Sequence, residues 1–288
     1  MSLKDYKKEK LENHIYNTPD TYVGGCDLIT EVLPVFCNKT KKIIYKEVEY
    51  IPALINIFNE ILVNARDQIV RLDQCGSDNP VTKILVKIDQ GLGEISIMND
   101  GEGIDIADHP TEKDKDGKSM NIVFMILFNL LTSKNYDKKA KKIVGGKNGY
   151  GAKLTNIFSK FFKVETVDST RGLKYTQESR NNMKDISPAK ITKSKAKSYT
   201  KITWIADFQR FDIGGYNDDM IDIITRRVYD IAGITDKRIN VSLNGSKLKM
   251  KSFMDYSNLY LTNASEKIIT EDNDRWSIGI TISKTDKF

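Results

Sequence analysis

The sequence predicts an α+β fold in which helices lie on one face of a mixed β-sheet. Segments of helical period and segments of strand period both recur along its 288 residues. They do not alternate as βα units: the order runs helix, two strands, helix, glycine-rich loop, helix, then several strands. A short QGLG turn joins two of the strands as a hairpin, which a purely parallel sheet would not contain.

Residues 1–50 read as a charged arm, a turn at NTPDTYVGG and mixed short segments. In PALINIFNEILVNARDQIVRL, from Pro52, the apolar positions Leu54, Ile57, Phe58, Ile61, Leu62 and Ile69 keep helical spacing, and Pro52 suits a first helical turn. Residues 81–89 and 94–100 read as strands, and NDGEGIDI as a loop. Residues 119–131 read as a buried helix, followed by a long polar, glycine-rich loop up to a helix that begins at YGAKLTNIFS. KFFKVETVDS, GLKYTQESRNN and SYTKITWIAD read as consecutive antiparallel strands, with a solvated lysine- and serine-rich hairpin at 181–201. Residues 217–232 form an amphipathic helix, INVSLNG a strand, and DRWSIGITISK a further strand. With nothing after it to pair with, that last strand reads as a cut in a longer chain.

Hydrophobic residues make up 40% and charged residues 29% of the chain, which supports a packed core. The longest apolar run, IVFMILFNLL, is too short to cross a membrane, and the charged N-terminus has no signal-peptide pattern. Three widely spaced cysteines argue against a disulfide framework or a zinc site, and two histidines supply Ser-His-Asp chemistry poorly. A net charge of +6 tolerates polyanionic partners, and a lysine-rich soluble surface accounts for it equally well.

Three stretches carry chemistry. In the helix from Pro52, Glu60, Asn64 and Asp67 or Gln68 share one face. A glutamate one turn from an asparagine suits metal-assisted hydrolysis: the amide oxygen ligates Mg²⁺ while the carboxylate takes a proton from water. A solvent-facing polar stripe has the same spacing. In MNDGEGI, Asp100 ends a strand, and Gly101 and Gly103 let the backbone approach a base closely. In IVGGKNGYGAKLTN, Gly149, Tyr150 and Gly151 lead into a helix whose N-terminus favours phosphate, with Lys147 and Lys153 adding charge. Ser133 and Asn135 offer donors ahead of it. The stretch fails the Walker A test, because Lys153 arrives one place late with no Ser or Thr after it. A loop of this length between apolar helices points to function, and a mobile surface loop is the bland alternative.

In this order the three stretches resemble the GHKL (Bergerat) ATPases. FNEILVNARDQ, IMNDGEGI, LLTSKNYD and GGKNGYGAKLTNIFS are similar to the corresponding blocks of eukaryotic-type (type IIA) DNA topoisomerase II, as are HIYNTPDTYVGG, ITRRVYDIAG and VSLNGSKL. The resemblance implies a GHKL domain over 1–250 with an N-terminal arm, and the truncated start of a transducer domain over 251–288. It implies ATP and Mg²⁺, with Glu60 as general base and Asn64 as metal ligand. Asp100 and Thr203 would stand at the adenine, and Gln68 would be a further nucleotide contact. Ser133, Lys134 and Asn135 would contact ribose and phosphate. Lys147, Asn148, Gly149, Tyr150, Gly151 and Lys153 would form the phosphate-cradling lid. Tyr6 would reach the nucleotide of a partner subunit.

The implied activity is that of an ATP-hydrolysing gate. It forms a homodimer on nucleotide binding and captures double-stranded DNA through the full-length enzyme, in the nucleus or, for a viral source, in a virus factory or virion. Three departures stand out: Gln68 and Lys134 differ from the residues usual in relatives, and the transducer's Gln-Thr-Lys loop is absent from this chain, as are the DNA-cleavage residues. A nucleotide-binding dimerisation clamp with negligible turnover is therefore the alternative. Mismatch-repair ATPases, heat-shock chaperones and histidine kinases share the GHKL layout but match these blocks less well.

Overall fold

The computed structural model describes residues 10–114, 116–130, 151–250, 252–261, 268–272 and 276–282. A short helix, α1 (Leu11–Asn17), opens the described chain. It is pinned by Tyr16, which stacks on Phe158 and donates from its hydroxyl to Asp207 Oδ2 at 3.1 Å. The segment read as mixed pieces is instead a regular antiparallel hairpin, β1 (Ile29–Cys37) and β2 (Lys42–Tyr50). Its alternation is weak because apolar side chains, Val32 and Tyr45 among them, stand on its open face.

Helix α2 (Pro52–Gln74) extends two residues beyond its sequence prediction. It buries Leu54, Ile57, Phe58, Ile61, Leu62, Ala65, Ile69 and Leu72, the stripe its spacing requires. At about 1.5–3 kcal/mol for each large side chain buried, this face anchors the helix to the sheet. The predicted hairpin follows as β3 (Lys83–Asp89) and β4 (Glu94–Asp100). A small pair, β5 (Asp108–Lys113) and β6 (Ser119–Asn121), takes the first residues of the predicted 119–131 helix. Asn121 then caps α3 (Ile122–Phe128), its side-chain oxygen accepting from Val123 N at 3.0 Å.

Next come α4 (Gly151–Ile157), β7 (Ser159–Asp168), β8 (Leu173–Arg180), β9 (Asp185–Ile186), β10 (Lys190–Lys193) and β11 (Tyr199–Ala206). They are followed by α5 (Asp218–Gly233), β12 (Asn240–Leu243), β13 (Ser246–Lys247), α6 (Phe253–Ser257), β14 (Ile268–Asp272) and β15 (Ser277–Thr281). Among the described residues the main sheet has nine strands in the order β10-β8-β7-β11-β4-β3-β12-β13, with β9 on β8. β7, β8 and β11 are antiparallel as predicted, but β11 does not follow β8. It inserts between β7 and β4 and so brings both ends of the sequence's chemistry together. β12 runs parallel to β3 after α5 crosses over, which makes the sheet mixed. The last predicted strand has a partner, the preceding β14, so its pairing needs nothing downstream.

Candidate functional site

Helix α2 runs along β4. Near its start, the Phe58 ring lies 6.3 Å from that of Trp204, whose cross-strand partner is Ile95. Near its end, Leu72 packs so tightly on Gly101 that a Cβ there, at φ +90°, would lie 2.9 Å from Leu72 Cδ1. Phe58 to Leu72 advances about 21 Å along a helix, and Ile95 to Gly101 about 20 Å along a strand, so the two rise together. The α2 residues around Asp67 therefore stand above Asn99.

Alternation along the strands decides which side chains face α2. Trp204 faces it, so Ile202 and Thr200 do too, and across the ladder Ile95, Ile97 and Asn99 share that face. Thr200 pairs with Asn99 on one side and with Thr166 on the other. These three polar residues floor one end of the inner face, which is otherwise apolar along β4 and β11. Thr166 Oγ1 lies 3.0 Å from Thr200 Oγ1 and accepts from Ile104 N at 3.0 Å, so the loop after Asp100 crosses the end of β11 to reach β7. Asn99 Nδ2 donates to the Asp100 carbonyl at 2.9 Å.

Two residues assigned to the adenine by resemblance do not share that inner face. Thr203 has the opposite parity to Trp204, so it lies on the face turned away from α2, between Ser96 and Lys163. The Asp100 carboxylate is engaged by the start of β3: it accepts from Thr82 N at 2.7 Å, Thr82 Oγ1 at 2.5 Å and Lys83 N at 2.8 Å. Asn99 and Thr200, one and three residues away, hold the facing positions instead. Period-two parity counted from a buried tryptophan was the signal that could have identified them.

On α2, Glu60 is half-buried, Asn64 exposed and Asp67 buried. Burial raises the Glu60 carboxyl above its ordinary value, and the Asp67 charge raises it further. Gln68 braces the site, donating to the Glu102 carbonyl at 3.1 Å and accepting from Arg71 at 2.6 Å. Its amide is thus already committed to the turn. Gly151, the first residue of α4, sits directly against Glu60: a Cβ there would overlap Glu60 Oε2. Two residues on, Lys153 is fully buried, and desolvation pushes its ammonium down to about 8. Thr155 Oγ1 donates to the Ile57 carbonyl at 2.9 Å and locks α4 to α2. Ser133, Lys134, Asn135, Lys147, Asn148, Gly149, Tyr150 and Tyr6 lie outside the described residues.

Among the described residues no cluster of three or more His, Cys, Asp or Glu side chains forms a metal cage. One asparagine oxygen beside a carboxylate fits an ion that keeps most of its ligands as phosphate and water, which is the habit of Mg²⁺. No described helix is long and apolar enough to cross a membrane.

No protein-family model matches the chain. The chain is 39% identical over 289 residues to the DNA topoisomerase 2 of Acanthamoeba polyphaga mimivirus, a match covering 98% of this chain and 22% of that protein. It is also 39% identical over 289 residues to the DNA topoisomerase 2 of Arabidopsis thaliana, covering 97% and 19%. It therefore spans about a fifth of the length of these curated relatives. Among solved structures, the ATPase region of Saccharomyces cerevisiae topoisomerase II superposes with a TM-score of 0.89 at 40% identity, covering 98% of this chain and 72% of that one. The ATPase and transducer domains of DNA topoisomerase II from Balamuthia mandrillaris give a TM-score of 0.87 at 39% identity, covering 97% and 68%.

Proposed function

We propose, for a chain that belongs to the type II DNA topoisomerase family and aligns with its ATPase region, that it binds and hydrolyses ATP as the nucleotide-driven gate of such an enzyme. The observation that carries this reading is the contact of Gly151 with the half-buried Glu60. It sets a carboxylate of raised pKa at the first residue of the helix that follows the glycine loop. Glu60 takes a proton from the attacking water. Asn64 would hold Mg²⁺ with the phosphates, and the ion supplies neutralisation of the charge that develops on them. Asn99 and Thr200 read the base from the sheet floor, and Lys153 compensates phosphate charge. Residues from 251 onward begin the transducer, and nucleotide binding draws two copies together to enclose double-stranded DNA in the complete enzyme.

A second reading is a clamp that binds nucleotide and dimerises with little turnover. Titrating the chain with a non-hydrolysable ATP analogue and Mg²⁺, with heat and molecular mass recorded together, tests both. Binding with a monomer-to-dimer shift supports the gate, and the hydrolysis rate then separates the two readings. No binding overturns both.

Two further outcomes are expected. Thr200→Val and Asn99→Ala each weaken analogue binding by about 5- to 160-fold, on the scale of one lost buried hydrogen bond of roughly 1–3 kcal/mol, whereas Thr203→Val leaves it unchanged. Equal losses in all three would reject the parity assignment. Because Lys153 of the nucleotide-free chain is largely neutral above pH 8, analogue binding at pH 9 takes up a proton as phosphate restores the ammonium. Affinity falls as pH rises through 8, and calorimetry in buffers of different ionisation enthalpy shows buffer-dependent heat. Heat independent of the buffer would place Lys153 away from the phosphates.

A further inference from the structure

One of the most basic segments of the chain lies at the edge of the main sheet. Residues 186–205 contain Lys190, Lys193, Lys195, Lys197 and Lys201 and no acidic residue. The chain has 45 basic and 39 acidic residues, so without these five it would hold 40 against 39. Residues 134–153 are as basic, with seven lysines and one aspartate.

The structure displays four of these charges on an edge. β10 is the terminal strand of the main sheet, paired on one side only, to β8, with all four residues exposed. Lys195 and Lys197 follow in a loop and are also exposed. The loop is held at both ends. Ser194 N donates to the Gly172 carbonyl at 2.8 Å, and Ser198 Oγ accepts from Ser169 N at 2.9 Å. On the neighbouring strands, Lys163 and Lys174 are paired to Glu178 and Glu165. Lys190, Lys193, Lys195 and Lys197 have no ion pair among the described residues.

Lysines on an edge strand commonly block unwanted strand pairing, and that accounts for Lys190 and Lys193. It does not account for Lys195 and Lys197, which follow the end of β10 in the loop between Ser194 and Ser198, where no strand edge needs protection. From Lys190 to Lys197 an extended chain reaches about 25 Å, the length of about seven phosphates along one strand of a duplex.

We propose that β10 and the 194–197 loop bind the phosphate backbone of duplex DNA, without reading bases. The proposal rests on the reading above that the complete enzyme acts on DNA, and it adds a contact surface on this chain. The test is fluorescence anisotropy of a labelled random-sequence duplex against the 288-residue chain, over a salt series. The variants are K190E/K193E/K195E/K197E and a control of equal charge change, K39E/K41E/K237E/K247E.

The expected result is a loss of at least tenfold in affinity for the edge variant beyond that of the control. The slope of log K against log salt should also fall by roughly 3–4, since each phosphate contact contributes about 0.9. Equal losses in the two variants, or wild-type binding to poly-glutamate but not to DNA, would overturn the proposal. So would an absence of DNA binding by the wild type. ATP-analogue titration of the same samples keeps the two readings apart: retained nucleotide binding with no DNA binding sinks the edge surface alone. Unchanged circular dichroism and melting of both variants excludes unfolding as the cause.

Discussion

Glu60→Gln lowers ATP turnover by about 10²- to 10⁴-fold, the range supplied by a general base, while analogue binding stays within a few-fold of wild type. The same substitution raises the melting temperature of the nucleotide-free chain. Burial and the Asp67 charge raise the folded-state pKa of Glu60 above its ordinary value of 4.5, so ionisation works against the fold. The stability held by the neutral carboxyl is complete below the ordinary value and is lost as pH rises through the raised one. The wild-type chain loses it as pH rises through that raised value, and glutamine, neutral at every pH, keeps it. Stabilisation together with loss of turnover is what a functional carboxylate predicts. A glutamine variant that melts lower and still hydrolyses ATP would show that Glu60 is an ordinary packing residue. The acid limb of the turnover profile should also lie above that of an unperturbed glutamate. Asp67→Asn should move it to lower pH by removing the like charge.

The sequence made some of this legible and hid the rest for identifiable reasons. The α2 stripe and the β3–β4 hairpin were readable because their burial is one-sided, so hydrophobic period maps directly onto structure. The β1–β2 hairpin was not, since apolar residues such as Val32 and Tyr45 on its open face break the alternation. β11 was recognised as a strand, but its insertion between β7 and β4 was not. Strand order is a long-range choice that local patterning does not encode, and consecutive strands are neighbours only as a tendency. That one choice moved the candidate base-reading positions. A motif gives residue identity, but only the register shows that Asn99 and Thr200 face α2 while Thr203 turns away. Glu60, whose role follows from spacing along a single helix, needed no such information. Its contact with Gly151 joins segments ninety residues apart and emerges only when α4 docks on α2.

That contact yields the second large effect. Gly151→Ala is a small change at a helix start and raises intrinsic helix propensity. Its Cβ nevertheless falls on Glu60 Oε2, with Glu60 Cδ at 3.1 Å and Cβ at 3.5 Å. The atoms in its way belong to one side chain, so the structure yields either by rotating the carboxylate out of the site or by lifting α4 from α2. The first costs turnover, and the second costs about 1–3 kcal/mol of stability, as overpacking does. A double-mutant cycle distinguishes this from a general intolerance of alanine. Glu60→Ala removes the carboxylate and leaves only the Cβ, at ordinary contact distance. In that background Gly151→Ala should then cost less than about 0.5 kcal/mol, giving a coupling of roughly 1 kcal/mol or more between the two positions. Additive melting shifts would mean that Gly151 answers to the backbone of the loop before it and not to Glu60. Coupling would mean that the glycine is retained so that helix α4 can close against the carboxylate, which ties the loop's position to the protonation and placement of Glu60.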